Sequence, residues 1–134
     1  MRLFLDCEFN GFGGELISMA LVSNEGHEWY EVIPCSDPVP WVAENVMPFL
    51  NQAPLENSTA LTQSLGRFLS QFEVVKIIAD WPEDIALFCR ALSTGPGVKI
   101  STPLLSFLIL PIESQSRIPH NALEDAIGIR EALK

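Results

Sequence analysis

The chain alternates between short apolar runs and polar breaks, and the breaks fall at regular intervals. Arg2 to Leu5 is apolar and stops at Asp6, which predicts a buried central strand. Asn10 to Gly14 carries three glycines and reads as a turn. Leu16 to Val22 is a second apolar run. Asn24-Glu25-Gly26 is a hairpin connection to a third run, Glu28 to Ile33, where Trp29 and Val32 stand among charges as on an edge strand. The opening third is therefore a three-strand meander.

The pattern then changes period. Trp41, Val42, Val46 and Leu50 have helical spacing. Asn57 caps a second helix whose stripe is Leu61, Leu65, Phe68, Leu69 and Phe72. Val74 to Ala79 returns to a fully buried strand. Asp80 is a candidate N-cap for a helix with Pro82 in its first turn, continued by Ile85, Leu87, Phe88 and Leu92 and stopped by Gly95-Pro96-Gly97. Val98 to Ser101 reads as a fifth strand, and Pro103 to Ile112 fits strand or helix equally. Asn121, with Glu124 three residues on, caps a last helix through Leu123, Ala126, Ile127, Ile129 and Leu133. Three strands followed by strand–helix alternation predict an α/β chain with a mixed sheet flanked by helices.

At 134 residues the chain has the size of one domain, residues 1–134, and can bury a sizeable core. Its 48% hydrophobic content excludes a disordered chain. No apolar stretch is long enough to span a bilayer, and only four residues separate Met1 from the first acid, Asp6, too few for a secretory core; a soluble cytoplasmic protein without a membrane partner is expected. Cys7, Cys35 and Cys89 are odd in number with no paired spacing, which predicts reduced, mostly buried thiols. The net charge of −9 disfavours a protein that grips nucleic acid by its own electrostatics, unless metal ions supply the positive charge.

That condition gives the acids their interest. Asp6 and Glu8 lie two apart at the end of the first strand, so period two aims both at one face of the sheet. Asp80 and Asp84 flank a helix start after the fourth strand. Asp125 lies one turn into the last helix, five residues after His120. Each alone has an ordinary reading as a cap, a solvated acid or a loop histidine. Together they form one ordered set of carboxylates, suited to hard cations such as Mg²⁺ or Mn²⁺. Two such ions about 4 Å apart can activate water and stabilise a leaving oxygen in phosphodiester cleavage. A nearby histidine, with a pKa of about 6.5, can take the water's proton.

The arrangement resembles the DEDDh-type 3′–5′ exonucleases, the proofreading-exonuclease-like branch of the ribonuclease H-like fold. Phe4-Leu5-Asp6-Cys7-Glu8-Phe9-Asn10-Gly11 is similar to the family's strand ending in D-x-E-x-x-G, and His120-Asn121-Ala122-Leu123-Glu124-Asp125-Ala126 to its H-x-A-L-x-D-A. The middle motif departs from the pattern, with Glu83 where an aromatic is usual. The opening half, including Glu15 to Val22, Tyr30, Trp41-Val42 and Val46-Met47-Pro48, resembles small bacterial and phage exoribonucleases.

The resemblance implies a ribonuclease H-like five-stranded mixed sheet, an antiparallel meander plus parallel strands. It implies that Asp6, Glu8, Asp84 and Asp125 hold two Mg²⁺ or Mn²⁺ ions, with Asp80 as the alternative to Asp84, and that His120 is the general base. Phe9, Gly11, Phe12 and Asn121 are candidate substrate contacts: glycine lets the backbone approach the terminal sugar, and a phenylalanine can stack on the 3′ base. The expected activity is metal-dependent 3′–5′ removal of nucleotides from single-stranded RNA or overhangs. The alternatives are a DNA-directed exonuclease, a phosphatase or nucleotide hydrolase, and a non-catalytic nucleic-acid or partner-binding module. An apolar edge would allow a homodimer.

Overall fold

A computed structural model describes residues 1–134. β1 (Arg2–Phe9), β2 (Leu16–Val22) and β3 (Glu28–Val32) form the antiparallel meander. α1 (Pro40–Asn45) and α2 (Ser58–Leu69) follow, then β4 (Val74–Ala79) and α3 (Pro82–Ala91). A small hairpin, β5 (Ser93–Gly95) with β6 (Val98–Lys99), leads to β7 (Leu104–Ile109) and α4 (Ala122–Ala132). The main sheet is five-stranded in the order β3-β2-β1-β4-β7, with β4 parallel to β1 and β7 parallel to β4. The expected α/β chain with a mixed five-stranded sheet flanked by helices is present.

Strand alternation sorts the core into two layers. Leu3, Leu5 and Cys7 of β1 pack with Met19 and Leu21 of β2 against Leu61, Leu65 and Leu69 of α2 and Phe88 of α3. Phe4 takes the opposite face with Ala20, Val22 and Ile78, against Ala122, Ala126 and Ile129 of α4. A third cluster joins Ile17 and Val32 to Val42, Val46 and Leu50 around α1. β1 is buried on both faces because α2 and α3 cover one and α4 the other.

The structure departs from the sequence pattern at five places. β1 does not stop at Leu5: pairing of Asp6 with Ala20 and Glu8 with Ser18 continues the ladder, so both acids lie inside a strand. The helix expected over Trp41 to Leu50 ends at Asn45 and gives way to a 3-10 turn at Met47–Phe49, because Pro48 has no N–H for an α-helical bond. The fifth sheet strand is Leu104–Ile109, not Val98 to Ser101. The uniform apolar run had no period to read, and the free edge of β4 decided it. Of the three thiols only Cys7 is buried; Cys89 is exposed. The caps follow the sequence more closely. Asn57 accepts from the Ala60 N–H and Asn121 from the Glu124 N–H. The residue before α3 is Trp81, which provides no side-chain cap, and Asp80 is displaced from that role. No helix is long and apolar enough to cross a membrane.

Candidate metal centre

Parallel pairing of β1 and β4 brings their carboxyl ends to the same edge of the sheet, the usual place for a site in an open α/β sheet. A cleft of about 430 Å³ opens there. Asp6 and Glu8 share the β1 face that carries Phe4, so they point toward α4, whose first turn holds Asp125. Asp80 enters from the end of β4 and Asp84 from the first turn of α3. His120, Phe9, Gly11 and Phe12 line the same cleft. Segments more than a hundred residues apart along the chain therefore meet within a few ångströms.

The acids form two groups that share one member. Carboxylate oxygens of Asp6, Glu8 and Asp125 lie within 4.8 Å of one another, as do those of Asp6, Asp80 and Asp84. Asp80 and Asp84 thus fall on the same side, and the choice between them posed by the sequence becomes a pair. Asp84 is the buried one, at 3% exposure. No counter-charge is supplied: none of the 14 residues around the cleft is Lys or Arg, and the chain's ion pairs involve only Glu131. Asp6 Oδ2 is buried without any hydrogen-bond partner.

This crowding acts on protonation. Burial pushes the Asp6 carboxyl well above its usual range, with repulsion from Asp84, Glu8, Asp125 and Asp80 adding to it. Burial also raises Glu8 to about 9, reinforced by a hydrogen bond shared with Asp125 and by the charges of Asp125 and Asp84. Asp84 rises to about 8, through burial first and then its proximity to Asp80. Asp80 is raised by burial and by Asp125. Without cations the cluster holds protons; a divalent cation is the species that would let it ionise. The donor set is all oxygen, which fits Mg²⁺ or Mn²⁺.

His120 sits just before α4 with φ at +68°, a left-handed backbone that a non-glycine residue adopts at some cost. Its backbone N–H donates to Asp125 Oδ2 at 3.1 Å, and its ring meets Trp41 edge-on at 4.9 Å between centroids. The turn therefore holds the ring at the cleft and one Asp125 oxygen in place. Asn121, expected to touch substrate, does not line the cleft: its Oδ1 caps α4, its Nδ2 donates to the Phe49 carbonyl, and it is 3% exposed. Phe9 is half-buried against the core, whereas Phe12 is wholly exposed.

Trp41, Trp81 and Glu83 also line the cleft, and sequence reasoning gave none of them a part in the site. For Trp81, the signal was an aromatic between a buried strand and a helix-opening proline, where it stands exposed. Neither a scan of protein-family models nor a search of curated proteins found a match to this chain.

Proposed function

We propose that the chain is a metal-dependent 3′–5′ exonuclease of the DEDDh type with a ribonuclease H-like sheet, acting on single-stranded RNA or overhangs. The observation that carries this reading is the shared position of Asp6. It belongs to two oxygen groups at once, with one orphaned buried oxygen, beside a histidine at the mouth of the same cleft.

Asp6, Glu8 and Asp125 would hold one divalent ion and Asp6, Asp80 and Asp84 a second. When bound, such ions supply an activated water and charge stabilisation for a departing 3′ oxygen. The chain's own residues do the rest. His120 accepts the proton of the attacking water, and Trp41 at its edge restricts the swing of the ring. The His120 N–H keeps Asp125 oriented toward Glu8. Gly11, at φ +79°, leaves the backbone bare beside the cleft where a terminal sugar would lie. Phe12 offers a free ring to the terminal base. The acidic remainder of the surface restricts binding to a few terminal nucleotides.

Incubating 5′-labelled single-stranded RNA and DNA with Mg²⁺ or Mn²⁺ tests this. A ladder shortened from the 3′ end is expected, faster on RNA, and absent from Asp6→Asn. A ladder that survives in Asp6→Asn, or phosphate release from mononucleotides in its place, overturns the assignment. Tight metal binding with no turnover would favour a binding module.

A further inference from the structure

We propose that Glu83 is a positioning residue: with Asn10 it latches the β1–β2 turn so that Phe12 stands at the mouth of the acidic cleft, ready to meet the terminal base of a substrate. The base contact rests on the exonuclease reading above; the latch rests on geometry alone.

Phe12 has no packing to hold it. Its exposure is 102%, whereas Phe4 and Phe88 are at 0%. The turn around it is largely glycine, with Gly11 at φ +79° and Gly13 at φ +71°. A Cβ on Gly14 would fall 2.0 Å from the Asn10 carbonyl oxygen, so the chain closes tightly on itself there. Glycines permit this path but do not enforce it.

Backbone bonds from Asn10 N–H to the Glu15 carbonyl and from Gly14 N–H to the Gly11 carbonyl close the turn on itself, and three side-chain hydrogen bonds fix it to the two walls of the cleft. On one side the Gly13 N–H donates to Glu83 Oε2 at 3.2 Å, in the first turn of α3 and next to Asp84. On the other side the Asn10 amide donates to the Asp37 carbonyl at 3.0 Å, and its Oδ1 accepts from the Val39 N–H at 2.9 Å. That second anchor lies just ahead of α1, which carries Trp41.

Glu83 adds negative charge next to a carboxylate cluster that already lacks counter-charge, so its presence needs a use. It belongs to neither metal-spaced group of acids. One of its oxygens is taken by the turn, in a charge-assisted bond stronger than a neutral acceptor would make. Its place in α3 couples the pose of Phe12 to the helix that delivers Asp84.

The full-length chain carries the test, as Glu83→Ala, Glu83→Gln, Phe12→Ala and the Glu83→Ala/Phe12→Ala double variant. Amide hydrogen exchange in the metal-free protein needs no substrate. Glu83→Ala should speed exchange at Gly13 by about tenfold, the scale of one lost charge-assisted bond at a partly exposed site. Glu83→Gln keeps an acceptor oxygen and should restore protection, and Leu5 in β1 should not change.

On a 5′-labelled single-stranded oligonucleotide, Glu83→Ala should raise KM by about tenfold, the order of one lost base stack, with the loss falling on KM rather than kcat. The double variant should be no worse than Phe12→Ala, and Mn²⁺ affinity by calorimetry should hold. Unchanged Gly13 exchange in Glu83→Ala overturns the latch. Additive losses in the double variant, or weakened Mn²⁺ binding, overturn the route through Phe12. If the unmutated chain shortens no oligonucleotide, the exonuclease reading and the base contact fall together, while the exchange data still decide the latch.

Discussion

Two regions of this protein bury carboxylates, and they treat them in opposite ways. On β3, Glu31 sits half-buried beside α2 with its oxygens supplied: Ser64 Oγ donates to one, and the Gln52 amide reaches the other at 3.3 Å. Ser64 in turn accepts the Trp29 indole N–H at 3.0 Å, so the network closes. At the carboxyl ends of β1 and β4, Asp6 has an oxygen with no donor at all and four other acids around it. A buried carboxylate with its own donors ties elements together. A buried carboxylate without them is costly to the fold, and the cost is relieved only by protons or cations from outside. The difference is one of partners, since both regions draw on the same residue types in the same sheet.

Asp6→Asn should lower 3′-shortening at least about a thousandfold, because one change removes a ligand from both oxygen groups. The same variant should fold, with a melting temperature at or above that of the unmutated metal-free protein at pH 8. A marked loss of stability would show that Asp6 is structural. His120→Ala should cost about a hundredfold in rate while leaving Mn²⁺ affinity by calorimetry intact, as expected for a proton acceptor that is not a ligand.

The supplied region should behave in reverse. Ser64→Ala leaves the Trp29 N–H buried without an acceptor and Glu31 without its hydroxyl donor. It should destabilise the fold by about 1–3 kcal/mol in denaturant titration without changing metal affinity or turnover. A change in metal binding there would mean that the two regions are coupled.

The two regions also differ in how they answer to pH. In the unfolded chain Glu8 and Asp84 ionise near their ordinary values of 4.5 and 3.8, whereas the folded chain holds their protons until about 9 and about 8. Between those limits the native state binds more protons, so metal-free stability falls as pH rises. Melting temperature should drop by about 4 °C or more between pH 5 and pH 9, and saturating Mg²⁺ should restore it most at the alkaline end. A flat profile would mean that the acids are better solvated than their positions imply.

Much of this was legible in the chain. The meander, the strand Val74–Ala79 and the caps at Asn57 and Asn121 follow from local periodicity and local hydrogen bonding, and the structure has them where the residues predict them. The common face of Asp6 and Glu8 follows from period two, and the ordered spacing of the acids was visible as a set. Local rules failed where a distant partner decided the outcome. Leu104–Ile109 became a strand because β4 had a free edge. Asn121 turned inward, where its amide donates to the Phe49 carbonyl across the fold. Trp41 and Trp81 stand exposed along the cleft, outside all three core clusters, which no local period signals.

The sequence by itself determined which residues carry charge, which runs alternate, that Asp6 and Glu8 share one face of their strand, and that Asp84 and Asp125 stand at helix starts. Only the tertiary structure decided that Asp6 lies between two groups of oxygens and that Glu31 does not lack donors. Periodicity fixes the direction a side chain leaves its own strand, but the dielectric and the partners it meets are set by elements distant along the chain, and those surroundings separate a structural acid from a reactive one.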